Sequence, residues 1–335
     1  MKIITSIKNL DNHQLYLLVC QTVENFLQKR GYLKIDLPLM SPALIPESYL
    51  EVFETEFKYL GKKENLYLIP SPELFLKRIL AYGKVNCYFL GKSFRNSELP
   101  SNLHSPEFTM LEFYKIGANY LDLADEILEM LRNINEKLKT KKSKLKTLRK
   151  KLNFDRWEKI TVSQAFKKYA QVTEEELFNH QLFIKKAKEK GYQTDGFSYE
   201  EIWSQIYSQE IEPHLGKNGY PTLIYDYPKE FAATAKLNLD GKTSQRFEFY
   251  INGIELGDCY TELTDWKEQK KRFAIEEKKR IRDKKINHPV DNGFIKALKY
   301  GLPPCAGIAI GVERLTMVML GLTSIEDLKL INYEN

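Results

Sequence analysis

FRNSELPSNLHSPEFTMLEFY, residues 94–114, is the stretch on which the reading of the fold turns. Arg95 precedes a polar loop, and the loop leads into a strand whose alternate residues are Phe108, Met110, Glu112 and Tyr114. Successive side chains of a strand point to opposite faces, so these four share one face. Phe108 and Glu112 are four steps of about 3.3 Å apart, roughly 13 Å. One face therefore offers an aromatic platform at one end and a carboxylate with a phenol at the other. It suits a ligand with a flat base, a cationic tail and a phosphate that Arg95 holds between them, the outline of an aminoacyl-adenylate. His104, in the polar loop, is placed to touch a terminal phosphate, although a loop histidine is as readily a simple surface residue.

Two later segments complete such a site. RFEFYINGIELGDCYTE, residues 246–262, contains Asn252-Gly253, a strong two-residue hairpin turn. Pairing outward from the turn sets Ile251 opposite Ile254, Tyr250 opposite Glu255 and Glu248 opposite Gly257. Glu248 and Glu255 then share a face as diagonal neighbours. With no basic residue between them they suit a magnesium ion held against phosphates, and a pair of exposed strand glutamates would give the same pattern. Asp258, Tyr260 and Glu262 have the opposite parity, and a bulge at Gly257 would bring them to the same face. In PPCAGIAIGVERL, residues 303–315, Gly307, Ala309 and Gly311 form a strip without bulk that lets a ligand lie on the backbone. Arg314 follows at a helix start, where a guanidinium can stack on a base or meet a phosphate. Glu73, after Ser71-Pro72, can accept an amino group, and a first-turn glutamate is also favoured by the helix dipole alone.

Composition bounds the rest. A chain of 335 residues, 43% hydrophobic and 29% charged, is an ordinary globular protein able to bury a large core. The N-terminal residues hold no signal-peptide pattern. The most apolar segment, 307–322, is broken by Glu313 and Arg314, so it is not a membrane span. A cytoplasmic location is expected. Four scattered cysteines form no CxxC pair, which argues against a disulfide framework or a zinc site. The net charge of +6 is local: nine Lys or Arg and no acid lie within 137–151, and the remainder carries −3. Such a run is a solvated helix or a docking surface for an acidic partner.

Helical periodicity is expected over 13–31, ending at Gly31, and over 73–82. YLKIDLPLM contains Pro38 and reads as an edge or interface strand. The stretch from about 120 to 235, mostly helical in pattern, is read as an insertion between two parts of the sheet, in a single domain spanning 1–335.

Together these segments resemble a class II aminoacyl-tRNA synthetase core of the lysyl type. FRN…HSPEFTMLEFY looks like that class's second motif, GIAIGVER its third, and GYLKIDLPLMSP its first, whose proline helps build a dimer interface. The resemblance implies an α/β (α+β) catalytic core, a mixed, mainly antiparallel sheet flanked by helices, acting as a homodimer on ATP with Mg2+. It makes Arg95 the α-phosphate clamp, with Arg95 and Arg314 the catalytic pair and Phe108 and Arg314 sandwiching adenine. It makes Glu248 and Glu255 magnesium ligands and His104 a γ-phosphate contact. Glu112, Tyr114 and Glu262 match residues around a lysine ε-ammonium, and Glu73 matches the contact to the backbone amine. Ser97 replaces the usual glutamate, and Glu98 is its substitute. Asp258 stands where the family has an asparagine at the substrate carboxylate, and Tyr260 replaces phenylalanine. The first motif begins within about forty residues, leaving no room for an anticodon-binding domain, and Ala309 replaces a glycine on the pocket floor. Both features resemble the truncated paralogs that attach lysine or (R)-β-lysine to elongation factor P, and they turn the expectation away from tRNA. A stand-alone core acting on tRNA or a small amine, and an inactive paralog that serves as a binding module, are the alternatives.

Overall fold

The computed structural model describes residues 2–97, 100–142 and 152–334. Its centre is an eight-stranded sheet. In chain order the strands are β1 (Leu33–Lys34), β2 (Cys87–Phe94), β3 (Glu107–Ile116), β4 (Glu158–Thr161), β5 (Thr222–Pro228), β6 (Thr243–Ile251), β7 (Ile254–Thr261) and β8 (Cys305–Gly311). Across the sheet they run β1-β2-β3-β8-β7-β6-β5-β4, antiparallel in the middle and parallel only where β1 meets β2 and β5 meets β4. The mixed, mainly antiparallel sheet expected from the motifs is the sheet observed. Pro38 follows an edge strand of two residues, as a residue unable to donate to a ladder should.

One face of the sheet is apolar and packed under helices. Leu111 and Phe113 of β3, Ile308 and Ile310 of β8, and Phe247 and Phe249 of β6 pack under α1 (Leu10–Lys29), α3 (Tyr120–Lys142) and the C-terminal helix α6 (Val312–Leu320). Each such side chain stabilises the fold by about 1.5–3 kcal/mol on full burial. α1 stops where Gly31 takes φ +79, a left-handed conformation that favours glycine. On the opposite face, α2 (Glu73–Gly83), α4 (Trp266–Arg282) and α5 (Asn292–Gly301) contribute Leu76, Leu80, Phe273, Phe294 and Leu298 to a second core against Cys87, Phe89 and Tyr114. That core leaves the rest of the face as a cleft.

The stretch 120–235 divides three ways. α3 belongs to the main core, β4 and β5 extend the sheet, and Val162–Leu215 builds a third core of Phe166, Phe183, Trp203 and Tyr207. Most of the basic run 137–151, and Glu98, lie outside the described residues. No helix among the described residues is long and apolar enough to cross a membrane.

Candidate active site

The open face of β3, β8, β7 and β6 forms a cleft of about 430 Å3. Period-two alternation turns Phe108, Met110, Glu112 and Tyr114 into it while Leu111 and Phe113 go to the core, as the sequence predicted. β8 runs beside β3, so Gly307 lies next to Tyr114, Ala309 next to Glu112 and Gly311 next to Met110. A Cβ at Gly307 would sit 2.2 Å from the Tyr114 ring, which explains glycine there. The Ala309 methyl stands between Glu112 on one side and Asp258 on the other.

The hairpin β6–β7 turns at Asn252-Gly253 as expected, but its register differs from the expected one. Glu248 lies opposite Asp258 and not opposite Gly257, because Leu256 and Gly257 together oppose Phe249. This bulge is the device that brings Asp258, Tyr260 and Glu262 into the cleft with Glu255. Arg95, His104, Phe108, Glu73, Ala309 and Arg314 line the same cleft.

At its deep end Glu112 receives the Tyr114 hydroxyl on Oε1 at 2.6 Å and the Ser71 hydroxyl on Oε2 at 2.7 Å. Burial first, then the carboxylate of Glu73, pushes its pKa up to about 8. Lys77, one turn after Glu73 and itself buried, pairs with Glu73 and, at 2.5 Å, with Glu262. Glu73 and Glu262 therefore share a resident ammonium. Burial still raises Glu262 to about 7 against the pull of Lys77.

Toward the middle, Arg246 settles the chemistry of Asp258. Its Nε and Nη2 donate to the two Asp258 oxygens at 2.9 and 3.0 Å, Nη2 also donates to Glu248 Oε1 at 2.7 Å, and the Tyr260 hydroxyl donates to Asp258 at 2.5 Å. Burial holds Asp258 up at about 6 in spite of Arg246. No basic residue lies between the hairpin glutamates in the sequence, but one lies just ahead of them. Arg246 stands two residues before Glu248, on the same face, and neutralises it from that side.

At the outer end the Arg95 guanidinium lies 5.3 Å from the centre of the Phe108 ring. Arg314, in the first turn of α6, donates through Nε to the Leu103 carbonyl at 2.9 Å and lies 3.7 Å from Glu255 Oε2. Its neighbour Glu313 is structural, accepting the Thr109 backbone N–H at 2.9 Å and so fixing β3 to α6. Burial, then Glu248, raises Glu255 to about 7. A divalent cation would relieve Glu255 when phosphates supply its other oxygens, and Glu248, which accepts Arg246 on Oε1 and the Tyr250 hydroxyl on Oε2 at 2.6 Å, acts on Glu255 from the same hairpin.

Several functional candidates went unread in the sequence. Arg246 was readable from strand parity and Lys77 from its i, i+4 spacing to Glu73. Ser71, Glu47 and Tyr49 come from loops whose approach to the cleft no periodicity announces.

Comparison with known proteins agrees with this geometry. The family of tRNA synthetases class II (D, K and N) matches residues 6–331. The elongation factor P--(R)-beta-lysine ligase of Yersinia enterocolitica is 34% identical over 312 residues, 91% of this chain and 90% of the relative. Proteins of the same name from Buchnera aphidicola and Salmonella arizonae are 32% and 33% identical, over 93% and 91% of this chain and 92% and 90% of theirs.

Proposed function

The chain belongs to the class II tRNA synthetases (D, K and N), and from that premise we propose that it is an ATP-dependent ligase that activates lysine or (R)-β-lysine and passes it to a lysine side chain of elongation factor P. One observation carries the reading. Along a single strand face, an aromatic ring under the Arg95 guanidinium is followed by a buried carboxylate whose hydrogen-bond donors, among the described residues, are two neutral hydroxyls. Such a carboxylate is stabilised by an incoming ammonium.

In the first step the substrate carboxylate attacks the α-phosphate of ATP, pyrophosphate leaves and an aminoacyl-adenylate forms. Arg95 stabilises the charge that develops on the phosphate, while Phe108 and Arg314 hold adenine between them. Glu112 and Tyr114 take the side-chain ammonium, Glu73 the second amine and His104 the γ-phosphate. Magnesium, held by Glu255 and Glu248, would neutralise the phosphate oxygens. The Ala309 methyl crowds the floor where the backbone of an α-amino acid would lie, which favours the β-isomer. The second step forms an amide with the acceptor lysine. A pair of chains in the cytoplasm completes the reading, supported by the apolar edge of the sheet and the family's first motif.

ATP–pyrophosphate exchange with α-lysine, (R)-β-lysine, ornithine and asparagine tests it. Exchange should be strongest with a lysine isomer, and transfer to the factor should need no RNA. Exchange driven by asparagine and by neither lysine would sink the assignment.

A further inference from the structure

The transfer step needs a base. An acceptor lysine arrives as an ammonium ion without a free electron pair, and the adenylate carbonyl reacts only with the neutral amine. Most carboxylates of the cleft floor are occupied: Glu73 and Glu262 by Lys77, Glu248 and Asp258 by Arg246. Glu112 faces the substrate ammonium, and Glu255 faces Arg314 and the phosphates.

Glu47 remains, and it comes from outside the sheet. We propose that Glu47 is the general base that takes the proton from the acceptor amine, an inference that rests on the ligase reading. Its half-buried side chain lines the cleft from the loop before Glu51. The charged groups acting on it are Glu73, at the amine end of the substrate, Arg95, at the α-phosphate, and Glu276 of α4. In the ligase reading the first two hold the groups on either side of the carbonyl carbon that the acceptor must reach. Tyr49 donates its hydroxyl to Oε1 at 2.7 Å, and Oε2 accepts no hydrogen bond from a described residue.

The loop is fixed in place. Buried Arg280 donates to the carbonyls of Glu47 and Leu50 at 2.8 and 2.7 Å. The Ser48 N–H and hydroxyl donate to Glu276 Oε2 at 2.9 and 2.5 Å. A base held by a rigid supporting shell needs no rearrangement at the moment of reaction. Burial and then Glu73 raise its pKa to about 7, against Tyr49 and Arg95, which suits proton transfer near neutral pH.

The step balances as follows. Glu47 Oε2 takes one proton from the acceptor ammonium, and the freed electron pair attacks the adenylate carbonyl carbon. The C–N bond forms, the C–O bond to the α-phosphate breaks, and AMP leaves with that electron pair. The second amine proton passes to water.

The experiment compares the full-length protein with Glu47→Gln in three readouts: pyrophosphate exchange, transfer to elongation factor P, and capture of the adenylate by hydroxylamine, which is uncharged at neutral pH. Transfer to the factor should fall by about a hundredfold relative to exchange, in the range of a lost general base. Capture by hydroxylamine should keep its wild-type ratio to exchange. The wild-type ratio of transfer to exchange should rise with pH through about 7, and the variant should lose that limb of the ratio. Equal losses in all three readouts, or transfer to the factor at the wild-type ratio, would overturn the role of Glu47. A wild-type protein that forms no adenylate from either lysine would instead overturn the ligase reading, and this step with it.

Discussion

Glu112 occupies a place where its charge is costly until a cation arrives. Burial and Glu73 keep it protonated up to about pH 8, and Glu262, Glu255 and Glu47 up to about 7. In the unfolded chain all four ionise in the ordinary carboxylate range. Across the interval between that range and pH 8 the native state therefore binds more protons than the unfolded one, and its stability falls as pH rises. A bound lysine ammonium reverses the balance at Glu112 by stabilising the ionised form. Thermal melts of the free protein should thus move down between pH 5.5 and 8, and saturating lysine should raise the melting temperature more at pH 8 than at pH 6. A free-protein melting temperature that climbs across the interval, or a lysine shift that shrinks with pH, would contradict this account. The cleft face of β3 was legible because a strand exposes every second residue. Lys77 and Arg246 are equally within reach of periodic counting, Lys77 one helical turn after Glu73 and Arg246 two strand residues before Glu248.

Among the elements, the hairpin of β6 and β7 does the most to assemble the cleft. Its turn was plain in Asn252-Gly253. Its register was not, because a bulge is set by packing on the far side of the sheet and leaves no repeat in the sequence. Leu256 enters the main core beside Phe249, and Gly257 follows with no side chain. A Cβ at Gly257 would come within 2.6 Å of the Phe249 ring and 2.8 Å of the Ala309 carbonyl oxygen. The second contact is backbone, so β7 and β8 would have to spread. Gly257→Ala should lower the unfolding free energy by about 1–3 kcal/mol, the range for overpacking. It should also depress pyrophosphate exchange, since Asp258 is the next residue. An unchanged denaturation midpoint with full exchange would show that the bulge absorbs the methyl.

For the whole molecule, the motifs conveyed the central sheet because its strands carry the chemistry. The stretch 120–235 was less legible, since helical periodicity reports an apolar face without saying which core receives it. β1 ends the sheet with Leu33 exposed, and Leu39 and Met40 follow on the surface. An apolar sheet edge of this kind is managed by covering it. Sedimentation at micromolar concentration should give twice the mass of one chain, and Leu33→Lys with Met40→Lys should give one. A wild-type protein that sediments as a single chain throughout would remove the proposed pair. The position of β8 also has a consequence for synthesis on the ribosome. β2 with β3, and β6 with β7, pair between near neighbours in the chain, whereas β8 pairs with β7 about 50 residues back and with β3 about 190 to 200 residues back. Until Cys305–Gly311 has emerged, each hairpin carries an open ladder at the edge β8 will fill. The nascent chain thus holds almost every carboxylate of the site before it holds a cleft, and the late strand that closes the sheet also brings Arg314.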